Sequence, residues 1–134
     1  MPADLLLLFA RLLVCTVFIV SAVDKFNLVP AELAAMRALK LPAPVFLMRL
    51  TGVCEIVGCL MLGLGIAPRI AAVAFALFTL LVSLLFLRFW TSRPDAPDFL
   101  LRRNTFFSNL AMIGALPYVV VAGPGAYSLI RSLA

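Results

Sequence analysis

Apolar residues in this chain fall into four blocks, at 5–23, 45–66, 70–89 and 106–122. Each approaches the roughly 20 helical residues needed to cross a hydrocarbon core. The stretches between them carry most of the charge. Within the first of these, 24–44, Leu33, Met36 and Leu39 recur at helical spacing between Pro30 and Pro42. That pattern predicts a short helix over 30–40 lying on the membrane surface with those three side chains inward. Gly65 to Arg69 is a tight turn, with Pro68 at a position that proline tolerates at a helix start. The stretch 91–104 is polar and proline-rich and follows Trp90, which is placed as an interfacial anchor. Pro117 lies inside the fourth block, a position that kinks a membrane helix, and Gly123-Pro124-Gly125 closes the block. The whole predicts one all-α domain over 1–134, a four-transmembrane-helix bundle with an interfacial helix between the first two spans.

Arg11 and Glu55 break the apolar blocks, and charge at that depth needs a partner. Counted at 1.5 Å per residue from the cytoplasmic helix ends, Arg11 lies about 18 Å deep and Glu55 about 15 Å deep. Equal depth predicts that they pair. Thr51, Gly52, Gly58 and Cys59 are the helical neighbours of Glu55, so the acid rides on a stripe of small residues of the kind that faces other membrane helices. Two roles stay open for the pair: functional, or holding the helices in register.

Lys25, Arg49 and Asn109 lie closer to the same ends, joined by Asp24, Ser83 and Arg88, and are expected to line a polar cavity open to that side. The competing reading is that Lys25, Arg49 and Arg88 snorkel to the headgroups. Lys25, Arg37, Lys40, Arg88, Arg93, Arg102 and Arg103 gather at the first and third connections, against Arg69 and Arg131 on the other side. The positive-inside rule then puts 24–44 and 91–104 in the cytoplasm and both termini outside.

Composition narrows the classes. At 65% hydrophobic over 134 residues the chain lies far outside soluble domains. Its net charge of +5 fits membrane orientation and anionic headgroups, not nucleic acid. There is no histidine, so a histidine-ligated haem, copper or zinc site is excluded within the chain, and no metal site is expected. Cys15, Cys54 and Cys59 lie inside apolar blocks without a CxxC pair, which argues against a disulfide framework and favours small buried hydrophobes over redox groups. The first block is read as a retained helix and not a signal peptide, because it is long and Asp4, with no basic residue, precedes it.

Several segments together resemble the DoxX-like family of four-helix bacterial membrane proteins. Arg11-Leu12-Leu13 followed by Phe18-Ile19-Val20-Ser21-Ala22-Val23-Asp24-Lys25-Phe26 is similar to the family's opening helix. Glu55-Ile56-Val57-Gly58, then Leu62-Gly63-Leu64-Gly65 and Pro68-Arg69-Ile70-Ala71-Ala72, resembles its second helix, turn and third-helix start. Phe86-Leu87-Arg88-Phe89-Trp90 and Phe106-Phe107-Ser108-Asn109-Leu110-Ala111-Met112-Ile113-Gly114 resemble the remaining signatures. Members commonly have histidine where this chain has Leu87 and lysine where it has Ser108. The resemblance implies a multi-pass protein of the bacterial inner membrane and a link to thiosulfate:quinone oxidoreductase subunits and membrane-bound oxidoreductase complexes.

The expected function is therefore an accessory subunit of a quinone-linked redox complex, with no intrinsic cofactor, quinone as its ligand, and the electron carrier on a partner subunit. A catalytic residue is not identifiable, and at most the chain is a quinone-interacting oxidoreductase subunit. Two alternatives compete: a non-enzymatic membrane scaffold or assembly protein, and, behind it, a small-solute transporter, which at this length would need a homo-oligomer.

Overall fold

The computed structural model describes residues 2–123 and 125–128. It contains α1 (Pro2–Phe26), α2 (Pro30–Ala38), α3 (Pro44–Leu64), α4 (Pro68–Phe86) and α5 (Phe99–Ala122), with a 3-10 turn at Phe89–Thr91. Four of its helices are long and apolar enough to cross a membrane. The expected bundle is thus present, with the short α2 where it was predicted. Met36 is buried and Leu33 and Leu39 are half-buried, as the spacing predicts. Pro124, in the predicted closing turn, and Arg131, on the less basic side, lie outside the described residues.

Local chemistry accounts for most helix ends. Pro44 and Pro68 open α3 and α4, where the missing N–H costs nothing. Gly65 ends α3 in the left-handed region at φ 71°, and its N–H returns to the Met61 carbonyl. That conformation favours glycine. The main departure from expectation is α5, which starts at Phe99 instead of 106. Asp98 and Arg102 form an i,i+4 ion pair at 2.6 Å across its first turn. Charged residues at an interface can continue a helix beyond its apolar block, so hydropathy alone sets the start too late.

The helices pack as two pairs, α1 with α3 and α4 with α5, joined by α3 against α4. Phe18 of α1 and Phe75 of α4 stack at 3.9 Å between ring centroids, 5° from parallel, where the pairs meet. Gly58 makes room for this: a Cβ there would fall 2.6 Å from Phe75 Cζ. Cys15, Cys59, Leu62, Ala71, Ala72, Leu116 and Val119 complete the core. Where α4 meets α5, Phe89, Trp90, Phe99, Phe106 and Phe107 make edge-on and tilted contacts, with centroids 5.3 to 6.2 Å apart.

Candidate functional site

The buried positions of α1 are Arg11, Cys15, Phe18, Ala22 and Lys25. Those of α3 are Met48, Gly52, Glu55, Cys59 and Leu62. Both sets advance in alternating steps of four and three, the spacing that holds one helix face against a partner over many turns. The two helices run antiparallel, and the seam brings chemically distinct side chains together at three levels.

At one end Lys25 Nζ donates to both oxygens of Glu55, at 3.0 and 3.1 Å. Ser21 Oγ donates to Oε1 of the same carboxylate at 3.1 Å and accepts from Lys25. Glu55 is 2% and Lys25 8% exposed, so the ion pair is buried, with the half-buried Ser21 at its edge. Gly52 faces Lys25 across the seam, where a Cβ would lie 3.4 Å from Lys25 Cβ, at van der Waals distance.

Midway, the Cys15 thiol donates to the Cys59 carbonyl at 3.5 Å and the Cys59 thiol to the Cys15 carbonyl at 3.6 Å. Both thiols are free and buried. They also line a groove of about 390 Å³ between the helices, with Leu12, Ile19, Leu60 and Gly63 among its walls.

At the far end Arg11 is 1% exposed. Its Nη1 donates to the Leu62 carbonyl at 3.2 Å and its Nη2 to the Tyr127 carbonyl at 2.8 Å. Among the described residues Nε has no hydrogen-bond partner and no carboxylate pairs with the guanidinium. Residues 125–128 cross this end as a strap. Ser128 Oγ donates to the Gly65 carbonyl at 2.8 Å, and the Ala126 N–H donates to Asp4 Oδ1 at 2.9 Å.

Comparison with known proteins bears on the same helices. The DoxX family profile matches residues 6–88, which include all but the first residues of α1 and all of α2, α3 and α4. The chain belongs to the DoxX family. It is also similar to inner membrane protein YphA of Escherichia coli (strain K12), 30% identical over 128 residues, covering 94% of this chain and 89% of that protein. No solved structure matches the chain.

In this DoxX protein the acid and the deep arginine expected to form a pair are on different levels: Glu55 takes Lys25, and Arg11 takes main-chain carbonyls. Leu62, which meets Arg11, is seven residues beyond Glu55, about 10 Å along the helix. Equal depth was inferred by counting from each helix end, but α3 extends past the end of α1. Gly52, nine positions into α3, is level with Lys25, next to last in α1. The expected cavity of Lys25, Arg49 and Asn109 does not assemble either. Lys25 turns into the α1–α3 seam, Arg49 stands exposed on α3, and Asn109 donates to Ser83 Oγ at 2.9 Å between α4 and α5. Sequence reasoning missed Ser21 as a ligand of the carboxylate, although Ser21 and Lys25 are one helical turn apart and so share a face.

Proposed function

We propose that this protein is an accessory subunit of a quinone-linked redox complex in the bacterial inner membrane, in which it serves a quinone while a partner subunit holds the redox cofactor that supplies the electrons. The observation that supports this reading is the Lys25–Glu55–Ser21 network, a titratable pair within apolar helices. Ionisable residues inside a membrane mark proton or substrate paths by default. Quinone reduction takes up two protons, and a carboxylate that can exchange a proton with a neighbouring ammonium and hydroxyl is suited to deliver them. The inner-membrane assignment rests on the similarity to YphA, and the positive-inside rule orients 24–44 and 91–104 to the cytoplasm with both termini outside. Reporter fusions at the two termini test that orientation; activity of a cytoplasm-only reporter at either end refutes it.

Native mass spectrometry of protein extracted gently from its own membrane is the deciding experiment. Retained quinone, or a redox subunit, is the expected result. Lipid alone, together with unchanged quinone reduction in a deletion strain, overturns the reading.

One observation favours a scaffold role instead. Both oxygens of Glu55 are occupied by partners on α1, so the network also ties α1 to α3. Under that reading a Lys25→Met, Glu55→Gln double variant that folds keeps the full activity of the complex; under the quinone reading it loses it.

A further inference from the structure

The proton network leaves the middle level of the seam unused. Two thiols meet there from different helices, each bonded to the other's main-chain carbonyl at 3.5 and 3.6 Å. Reciprocal bonds of this kind place each sulfur against the partner residue itself, so both side chains point across the same gap. Small residues permit the close backbone approach that a disulfide needs, with Cα atoms roughly 4.4–6.8 Å apart. A Cβ on Gly63 would lie 3.8 Å from Cys15 Sγ, so the glycine leaves space beside that sulfur.

The second observation is the groove. Cys15 and Cys59 line it together, and its remaining walls are apolar. Leu12, Ile19, Leu60 and Leu64 stand exposed around it on the outer face of two membrane-length helices. A reagent that reaches these thiols by this route arrives through hydrocarbon. Cys54, by contrast, is exposed on another face of α3.

We infer that Cys15 and Cys59 form a redox-active dithiol that closes to a disulfide between α1 and α3 by reducing a lipid-soluble quinone in the groove. The inference rests on the quinone reading above and names what this chain contributes to it. Two S–H bonds break and one S–S bond forms. The two electrons and two protons pass to the quinone, whose carbonyl oxygens become the hydroxyls of the departing hydroquinone. Exchange with a partner's dithiol resets the pair: the partner's two S–H bonds break, its own disulfide forms, and the seam thiols are regenerated.

The test uses the full chain in lipid nanodiscs, with Cys54→Ala so that only the seam thiols remain. The reduced protein is incubated without oxygen with decylubiquinone, quenched in denaturing acid, alkylated with N-ethylmaleimide after neutralisation, and weighed intact. Before quinone, two adducts are expected; afterwards none, with the protein about 2 Da lighter and both adducts restored by dithiothreitol. Cys15→Ser in the same background keeps its single adduct throughout, and its hydroxyl can still donate to the Cys59 carbonyl, so folding is preserved. Two adducts persisting after both quinone and diamide overturn the dithiol. Closure with diamide alone overturns quinone as its acceptor. Native mass spectrometry of the same sample reads quinone binding separately: quinone bound beside two free thiols overturns this inference while the proposed function stands.

Discussion

Replacing Glu55 by glutamine strands the Lys25 ammonium, 8% exposed, beside a neutral amide. In the parent the ammonium lies 3.0 and 3.1 Å from the two carboxylate oxygens. At an effective dielectric near 20, a unit charge pair at about 3 Å is worth roughly 5 kcal/mol before desolvation is subtracted. Breaking one partner of a buried pair generally costs about 3–5 kcal/mol, because the remaining charge has been desolvated without return. Glutamine keeps an oxygen for Lys25 and Ser21, which places Glu55→Gln near the lower value. Lys25→Met, which leaves a buried carboxylate with only the Ser21 hydroxyl, belongs near the upper. The Lys25→Met, Glu55→Gln double variant removes both charges and should cost only about 1 kcal/mol, so the double-mutant cycle should return a coupling of about 7 kcal/mol. Equilibrium unfolding in mixed micelles measures each of these energies, and thermal melts followed through Trp90 should fall by roughly 10–15 °C for the single variants. Single variants within about 1 kcal/mol of the parent, or a double variant as unstable as the two singles summed, would refute the assignment of a desolvated pair.

Arg11, buried with no carboxylate partner among the described residues, should behave in the opposite way: Arg11→Met is expected within about 1 kcal/mol of the parent in the same unfolding assay, and a cost above that of Lys25→Met would show an acid partner at work. Gly58→Ala places a Cβ 2.6 Å from Phe75 Cζ, and Phe75 is already stacked on Phe18. Overpacking of this kind costs about 1–3 kcal/mol, read as a lower melting temperature. Gly65→Ala combines φ of 71° with atoms of Arg11 and Ser128 at 2.9 Å, so it should release the strap and raise hydrogen exchange at residues 125–128. Asn109→Ala loses the bond to Ser83 and should cost about 1 kcal/mol without changing exchange in the α1–α3 seam.

Most of the architecture was legible because a bilayer imposes a simple requirement on length and polarity. Blocks at 5–23, 45–66 and 70–89 became α1, α3 and α4 with shifts of a few residues, and the short amphipathic pattern became α2. Hydropathy failed where the determinant was local pairing. Asp98, Arg102 and Arg103 read as loop, yet the Asp98–Arg102 pair and Arg103 over the Phe99 ring at 5.9 Å belong to the first turns of α5. The end of α4 at Phe86 likewise came earlier than the apolar block did, as the chain turns through Phe89–Thr91 to build the aromatic cluster with α5. The strap at 125–128 carries no periodic signal; it is held by one-off bonds to Asp4, Gly65 and Arg11.

The site was legible in its members but not in its pairings, and the reason is geometric. Depth counted from a helix end assumes that neighbouring helices end at the same level. In an antiparallel pair the quantity that fixes level is register: the numbers of facing residues sum to a nearly constant value. Lys25 with Gly52, Cys15 with Cys59 and Arg11 with Leu62 give 77, 74 and 73. Ser21 with Glu55 gives 76, on that line, and Lys25, one helical turn from Ser21, reaches in with its long side chain; Arg11 with Glu55 would give 66, well short of it. The alternating four-and-three steps at Arg11, Cys15, Phe18, Ala22 and Lys25, and at Met48, Gly52, Glu55, Cys59 and Leu62, are present in the sequence. Sliding one set against the other in reverse, with the small Gly52 opposite the long Lys25, leaves Glu55 within reach of Lys25 and sets the two cysteines face to face. Charge alone could not choose between Arg11 and Lys25 as the partner of Glu55, since both are cations at buried positions of one helix face. Register along the seam chooses: it sets the acid level with Ser21, one helical turn from Lys25, and about two turns from Leu62, which meets Arg11.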